Sequence, residues 1–341
     1  MIYYRPICMT DAARPDDALT LAGGWAWFTH AEALTRAGSR GAGSRGLVAA
    51  RDIPGDVLAR LTAPRPALAG VSMDRPRLMG VLNVTPDSFS DGGRFDDPAT
   101  ALAQARAMAA GADFLDVGGE STRPGAAEVP AADEIARVAP VIAAIRGAGV
   151  TTPISVDTRK AAVAGAALKA GAGIVNDVSA LTFDPALASL VARAQAPLIL
   201  MHAQGTPATM QADPRYDDVL LDVCDWLAGR IAVAEAAGIP RARIVVDPGI
   251  GFGKTVAHNI ALIRGLSLFH GLGCAILLGA SRKRFIGALG DAPDATRRGP
   301  GTIAVTLAAI AQGVQIHRVH DIDETRQALR LWQAVTVGDF S

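Results

Sequence analysis

Eight short apolar runs repeat along the chain from residue 78 onward, each ending in a polar or glycine-rich stretch and followed by an alanine-rich segment. The runs occupy residues 78–84, 113–118, 153–157, 173–177, 197–202, 243–249, 275–281 and 314–321. Strands that are apolar throughout are buried on both faces, as in a parallel sheet. Eight such units in about 260 residues match the size of one closed (β/α)8, or TIM, barrel. We therefore predict an α/β fold with a single barrel over residues 76–341. A doubly wound open sheet is the alternative, although no GxGxxG turn follows the first run.

Residues 1–75 lack this repeat and differ in composition. They contain two of the four tryptophans, two of the three tyrosines and the stretch GSRGAGSRG at residues 38–46. Such a glycine- and serine-rich stretch is typical of a flexible linker or loop tip. We expect residues 1–75 to form an N-terminal extension, partly ordered by its aromatic side chains. It would either close the N-terminal face of the barrel or contact a partner.

Charge and cysteine usage narrow the class of partner. Lys+Arg and Asp+Glu both number 33, so the net charge is zero and gives no bulk attraction to nucleic acid or an anionic membrane. No apolar run approaches the roughly 18 residues of a membrane span, and the first residues do not resemble a secretory signal. Cys8, Cys224 and Cys274 are widely separated, without a CxxC motif. We expect reduced thiols, a cytoplasmic location and small-molecule ligands, with no nucleic-acid or membrane partner.

Polar side chains occur at or just after the ends of these runs, where a TIM barrel places its active site. Taken singly, they have ordinary explanations: Asp247 before a proline could cap a turn, and Asp157 could cap a helix. Their joint occurrence indicates a binding site. These residues are Asn83, Asp116, Asp157, Asn176, His202, Asp247, Ser281, Lys283, Arg318 and His320.

Eight longer motifs occur at the same places. In chain order they are NVTPDSFSDGG, GGESTRPGA, SVDTRK, NDVSA, MHAQGTPATMQ, DPGIGFGKT, GASRKRFIG and HRVHD. With them the chain resembles the dihydropteroate synthases over about residues 78–337. The resemblance implies a Mg²⁺-dependent, homodimeric transferase of folate biosynthesis. Such an enzyme joins a dihydropterin diphosphate to 4-aminobenzoate by an SN1-like displacement and releases diphosphate.

The resemblance also implies roles for individual residues. A carboxylate can accept two adjacent N–H donors of a pterin edge side by side, which is the role expected of Asp247. Asp157, Lys283, Arg318 and His320 are expected to be catalytic. The residues expected to line the pterin pocket are Asp157, Asn176, Met201, Asp247, Phe252, Gly279 and Lys283.

A second group is expected to hold the diphosphate and the second substrate. Arg318 and His320 are two apart, so in an extended strand both would face the same anion. Asn83 would be the Mg²⁺ ligand and Thr122 a diphosphate contact, while His317 is expected to be packed rather than functional. The residues expected around 4-aminobenzoate and in two lid loops are Asp87, Phe89, Arg123, Pro124, Ser281 and Arg282.

Two other functions remain open from the sequence. A pterin-dependent methyltransferase would keep the pterin residues but would need neither an anion grip nor lids for 4-aminobenzoate. A non-catalytic pterin-binding paralogue would have lost some of these residues. Ala203 and Arg284 depart from commoner family choices. Both only flank the key positions and put local loop contacts in doubt.

Overall fold

The computed structural model describes residues 1–36, 42–84, 98–121, 125–206 and 209–338. Residues 1–36 and 42–62 form a small antiparallel unit. Three strands hydrogen-bond in the order β1-β4-β5, and two short strands, β2 and β3, form a separate pair. The elements are β1 (Ile2–Pro6), β2 (Leu19–Thr20), β3 (Trp27–Phe28), β4 (His30–Arg36), β5 (Ala42–Ala49) and α1 (Gly55–Thr62).

The next eight strands are parallel and close into a barrel, with β13 hydrogen-bonded to β6 and β9 to β10. Each lies within or next to one of the eight apolar runs, so the predicted TIM barrel is confirmed. The strands are β6 (Arg77–Asn83), β7 (Phe114–Gly118), β8 (Ile154–Asp157), β9 (Ile174–Asp177), β10 (Leu198–Met201), β11 (Ile244–Asp247), β12 (Ala275–Leu278) and β13 (Ile316–Val319).

Helices connect these strands and cover the outside of the barrel. A long chain segment separates each strand from the next because a parallel pair cannot be joined by a tight turn. The helices are α2 (Pro98–Ala109), α3 (Ala131–Gly147), α4 (Ala161–Ala170), α5 (Ala186–Ala194), α6 (Val219–Ala236), α7 (Val256–Arg264), α8 (Arg284–Leu289), α9 (Gly299–Ile310) and α10 (Ile322–Val337). None of the helices in the described ranges is both long and apolar enough to cross a membrane.

Along each strand, side chains alternate between the outside and the inside of the barrel. Those on the outside are mainly apolar, and those on the inside form successive layers. In β8, for example, Ile154 and Val156 belong to the main core under the helices. The residues between and after them, Ser155 and Asp157, therefore point inward. At the N-terminal half of the barrel, most of the inward positions are apolar, Ser155 being an exception. This cluster contains Met79, Phe114, Ile174, Ile199, Val245, Ala275, Leu277 and Ile316.

The segment just before β6 closes the N-terminal face of the barrel. Leu68 and Met73 are buried against the inward apolar cluster, and Val71 packs beside them. The turn is held by two reciprocal hydrogen bonds, 2.9 Å each, between the backbones of Leu68 and Val71. The end of the extension thus covers that face, which was one of the two placements expected for it.

The rest of the extension lies against the outer wall of the barrel. The hydroxyl of Tyr3 donates to Asp225 on α6 at 2.7 Å, and the indole N–H of Trp25 donates to the carbonyl of Ile310 at 2.9 Å. Of residues 38–46, predicted to be a linker or loop tip, Ala42–Gly46 belong to strand β5, and residues 38–41 lie outside the described residues. No individual strand was predicted in this region, which contains β1 to β5.

Candidate active site

A ring of inward side chains lines the C-terminal mouth of the barrel, above the apolar layer. Strand register places Asp157 opposite Asn176 and Met201 opposite Asp247. On the other side, Gly118 lies between Asn83 and Asp157. The inward positions that come after the apolar layer therefore carry the predicted pterin residues on neighbouring strands.

Arg318, on β13, extends into this ring and binds two carboxylates. Its Nε donates to Oδ2 of Asp116 at 2.6 Å and its Nη2 donates to Oδ2 of Asp157 at 2.9 Å. The amide of Asn176 donates to the same oxygen of Asp116 at 3.1 Å. Asp116 thus links three strands. The sequence marked it only as a polar strand end, and no role was predicted for it.

Arg318 binds only one of the two carboxylate oxygens of Asp116 and of Asp157. Within the described part of the chain, Oδ1 of Asp116 and Oδ1 of Asp157 are buried and find no hydrogen-bond partner. An unsatisfied buried acceptor is costly, so a water or a bound molecule is expected to supply the missing donor. Burial raises the pKa of Asp157 to about 7; the charge of Arg318 lowers it and that of Asp116 raises it again.

Asp247 occupies the opposite side of the ring. Its Oδ1 accepts the backbone N–H of Gly249 at 2.7 Å, so the turn-capping explanation accounts for one oxygen. Its Oδ2 lies beside Gly279, where an added Cβ would come within 3.4 Å. Burial raises the pKa of Asp247 to about 6, while the Gly249 N–H and the charge of Lys283 counteract the rise.

Lys283 and Phe252 face each other next to Asp247. The ammonium of Lys283 lies 4.0 Å from the centroid of the Phe252 ring, a cation–π contact. Phe252 is half-buried and Met201 is buried. A flat ligand on this side would therefore meet a carboxylate, an ammonium group and an aromatic face.

The structure gives different partners to His320, which was expected to contact the diphosphate, and to Arg282, which was expected near 4-aminobenzoate. The ring Nδ1 of His320 lies 2.9 Å from the hydroxyl of Ser281, which also accepts the His320 backbone N–H. The guanidinium of Arg282 forms a two-pronged ion pair with Asp321. The backbone of Arg282 has φ of 56°.

His317 is buried and its Nε2 lies 3.0 Å from the Val314 carbonyl, as expected of a packed residue.

Asn83, the predicted Mg²⁺ ligand, lies beside Gly118 at the barrel mouth. An added Cβ at Gly118 would lie 3.8 Å from Oδ1 of Asn83 and 3.7 Å from Oδ2 of Asp157, so both oxygens flank this glycine. Among the described residues, no group of three or more His, Cys, Asp or Glu side chains could hold a metal ion. Mg²⁺ prefers oxygen ligands and keeps several waters. The residues therefore fit an ion carried mainly by substrate phosphate.

Five predicted residues, Asp87, Phe89, Thr122, Arg123 and Pro124, lie outside the described residues. The structure does describe where the second of the two loops begins and ends. Glu120 accepts the backbone N–H of Val129 at 2.8 Å, and the ammonium of Lys160 donates to the Val129 carbonyl at 2.8 Å. Lys160 also pairs with the buried Glu134 at 2.7 Å.

Comparisons with known proteins show the family to which the chain belongs. A family model described as pterin-binding enzymes matches residues 79–320. Dihydropteroate synthase of Neisseria meningitidis serogroup C is 47% identical over 272 residues, which are 79% of this chain and 95% of that protein. The chain belongs to the dihydropteroate synthase family. The family predicted from the motifs is thereby confirmed, and the matched region begins after the N-terminal extension.

Solved structures of the dihydropteroate synthase family agree. Xanthomonas albilineans dihydropteroate synthase with 4-aminobenzoic acid has a TM-score of 0.75 and 46% identity, covering 80% of this chain and 98% of that one. The same organism's enzyme in complex with 7,8-dihydropteroate has a TM-score of 0.72 and 44% identity, with the same coverage. About a fifth of this chain has no counterpart in either structure.

Proposed function

We propose that this chain condenses (7,8-dihydropterin-6-yl)methyl diphosphate with 4-aminobenzoate, giving 7,8-dihydropteroate and diphosphate in folate biosynthesis. The observation that carries the proposal is the ring at the barrel mouth. Asp116 and Asp157 each have a buried carboxylate oxygen without a hydrogen-bond partner. A third carboxylate, Asp247, lies near Lys283, whose ammonium contacts the ring of Phe252. All three carboxylates lie inside the same barrel. A pterin offers adjacent N–H donors and a flat face, and these groups match both.

In this proposal Asp247 accepts two neighbouring N–H groups of the pterin, and Asn176 bonds a remaining ring nitrogen. Lys283 donates to the pterin carbonyl. Phe252 and Met201 pack against the ring, with Gly279 leaving room for it. Burial makes these polar contacts stronger than they would be in water, because the groups have few competing solvent partners.

The reaction then proceeds by separation of charge. The bond between the pterin methylene carbon and the diphosphate oxygen breaks, and the ionised Asp157 stabilises the positive charge left on the pterin. Arg318 and His320 face the departing diphosphate, with Thr122 as a further contact. The amine of 4-aminobenzoate forms the new carbon–nitrogen bond and loses a proton. No covalent bond to the enzyme is needed.

Mg²⁺ held by Asn83 and the diphosphate oxygens would neutralise charge on the leaving group. For 4-aminobenzoate we propose a place bounded by Asp87, Phe89, Arg123 and Pro124. Its carboxylate would lie near Ser281 and Arg282. Because Arg282 is already paired with Asp321, it would contribute positive charge from a fixed position rather than a mobile one.

We also propose a cytoplasmic homodimer. Leu331 and Val335 on α10 are one turn apart and remain 65% and 75% exposed. Two large apolar side chains on one helix face are the kind of surface that a second copy covers. Sedimentation of the wild type and of Leu331→Glu tests this, with a monomeric variant expected. An identical sedimentation coefficient for both would contradict it. The three cysteines are free thiols, in keeping with a reducing compartment.

The catalytic proposal is tested by measuring diphosphate release from the dihydropterin diphosphate with and without 4-aminobenzoate, at fixed Mg²⁺. We expect release that depends on 4-aminobenzoate and matches dihydropteroate formation mole for mole. Pterin binding without release would favour a non-catalytic paralogue. Methyl transfer to or from a pterin, with no diphosphate released, would favour the methyltransferase.

A further inference from the structure

Lys254 is a buried lysine to which the proposed mechanism assigns no part. It is only 3% exposed, at the end of the loop that follows β11. Its ammonium lies 2.8 Å from Nδ1 of His202 and donates to the carbonyls of Phe252 at 2.9 Å and His202 at 3.4 Å. These acceptors are neutral. A buried lysine whose hydrogen-bond partners are all neutral is expensive, so its presence calls for a compensating role.

The loop that Lys254 ends lies directly on the backbone after β10. Gly249 has φ of 68°, and a Cβ there would come within 1.8 Å of the His202 carbonyl oxygen. Gly253 has φ of 62°, and its Cβ would come within 2.5 Å of the Gln204 carbonyl oxygen. Only glycine allows both approaches. The two segments therefore touch backbone to backbone, and Lys254 bonds to both at once.

Both segments carry groups of the proposed pterin site. The backbone N–H of His202 donates to the carbonyl of Asp247 at 3.0 Å, which ties the end of β10 to that carboxylate's residue. The carbonyl that Lys254 binds at 2.9 Å belongs to Phe252, whose ring faces Lys283. Lys254 thus bonds the residue that carries the ring and the residue that supports Asp247.

We infer that Lys254 is a positioning residue for pterin binding: its hydrogen bonds to Phe252 and His202 hold the aromatic face and the Asp247 carboxylate in register with each other. It acts from behind these groups and does not touch the pterin. This inference rests on the proposed function, and it adds a residue to which the resemblance gave no role.

Electrostatics are consistent with this placement. Burial lowers the pKa of Lys254 to about 7, although the charge of Asp247 opposes the fall and that of Lys283 adds to it. Burial and the charge of Lys254 lower the pKa of His202 to about 2, so its ring is neutral and its Nδ1 can accept. Two other titratable groups lie nearby: His258 on α7, whose pKa is also lowered by burial and by Lys254, and Tyr216 beside the His202 ring, whose pKa is raised by burial.

The test is calorimetry with 6-hydroxymethyl-7,8-dihydropterin, which lacks the diphosphate, on the full chain. Lys254→Met removes the donors but keeps a long side chain. We expect its Kd for the pterin to rise about tenfold, the effect of leaving buried carbonyls unpaired. The KM for 4-aminobenzoate should stay within twofold. Lys254→Gln restores a neutral donor and should recover part of the affinity.

A purely structural role would lower the melting temperature without raising the Kd for the pterin more than the KM for 4-aminobenzoate. Lys169→Met, at an exposed lysine on α4, is the matched control and should bind as the wild type does. If Lys254→Met fails to fold, His202→Asn, which can still accept from Lys254, is compared with His202→Leu, which cannot. Pterin affinity within twofold of wild type in Lys254→Met, or equal affinity in the two His202 variants, overturns the inference. A wild type that binds no pterin would refute the proposed function instead.

Discussion

The negative charge of Asp116 should set the pH above which the site is active. Its carboxylate and that of Asp157 are held by Nε and Nη2 of one guanidinium, so two negative charges lie close together in a buried place. Burial and this neighbour raise the pKa of Asp157 to about 7. Replacing Asp116 with Asn keeps an oxygen for Arg318 and removes the repelling charge.

The size of the effect follows from the geometry. Nε and Nη2 lie on one edge of the planar guanidinium, so the two carboxylates that they bind are neighbours, and the centres of their charges are taken to lie about 5 Å apart. At an effective dielectric constant of about 20, two unit charges at about that distance repel by about 3 kcal/mol, equivalent to roughly two pKa units. The pKa of Asp157 should then fall below that of Asp247, which is about 6. The acid limb of kcat/KM should therefore move from about 7 in the wild type to about 6, where Asp247 takes over.

The assay is diphosphate release at low pterin concentration, measured between pH 5 and pH 9 for the wild type and Asp116→Asn. Asp113→Asn is the matched control, because Asp113 pairs with Arg77 and Arg326 at the other end of the barrel. The control should keep the wild-type limb. An Asp116→Asn profile whose acid limb stays at the wild-type pH, or moves upward, would refute the reasoning.

Two further substitutions test the packing that supports the site. Gly249→Ala should destabilise the fold by about 3 kcal/mol or more, because the methyl group meets the His202 carbonyl oxygen at 1.8 Å and φ is positive; urea unfolding measures this. Gly147→Ala, with nothing within 4 Å, is its control, and equal unfolding midpoints would be contrary evidence. Met73→Ala should cost about 2–4 kcal/mol by leaving a cavity under the barrel. Its kcat should be unchanged, since the chemistry lies at the opposite face; a lost kcat at temperatures where the variant is folded would argue against that separation.

The barrel could be predicted because its strands are apolar on both sides and recur eight times. The small antiparallel unit could not. In β4 the inward positions include Ala31 and Ala33, which give little contrast in hydropathy with their neighbours, and β5 contains a glycine- and serine-rich stretch. These strands are held by a small core of their own, which includes Phe28 and Leu61, and by contact with the barrel wall through residues such as Tyr3 and Trp25. Contacts between distant parts of the chain leave no local pattern.

The site shows the same division. Asp157, Asn176 and Asp247 could be proposed from the sequence because they end strands and lie in recognisable motifs. The role of Asp116 depends on Arg318 reaching across from the last strand, about 200 residues later in the chain. Spacing alone could not reveal that pair. The same holds for Arg282, which was expected only near 4-aminobenzoate and which the structure pairs with Asp321.

The central claim is that the inward polar ring is a pterin site with Asp247 as its carboxylate. Calorimetric titration of the wild type and Asp247→Ala with 6-hydroxymethyl-7,8-dihydropterin at pH 8 tests it most directly, with the exposed Asp213→Ala as control. Loss of a buried, charge-assisted pair of hydrogen bonds should weaken binding by about 100-fold or more in Asp247→Ala. The control should match the wild type. Undiminished affinity in a folded Asp247→Ala would contradict the account.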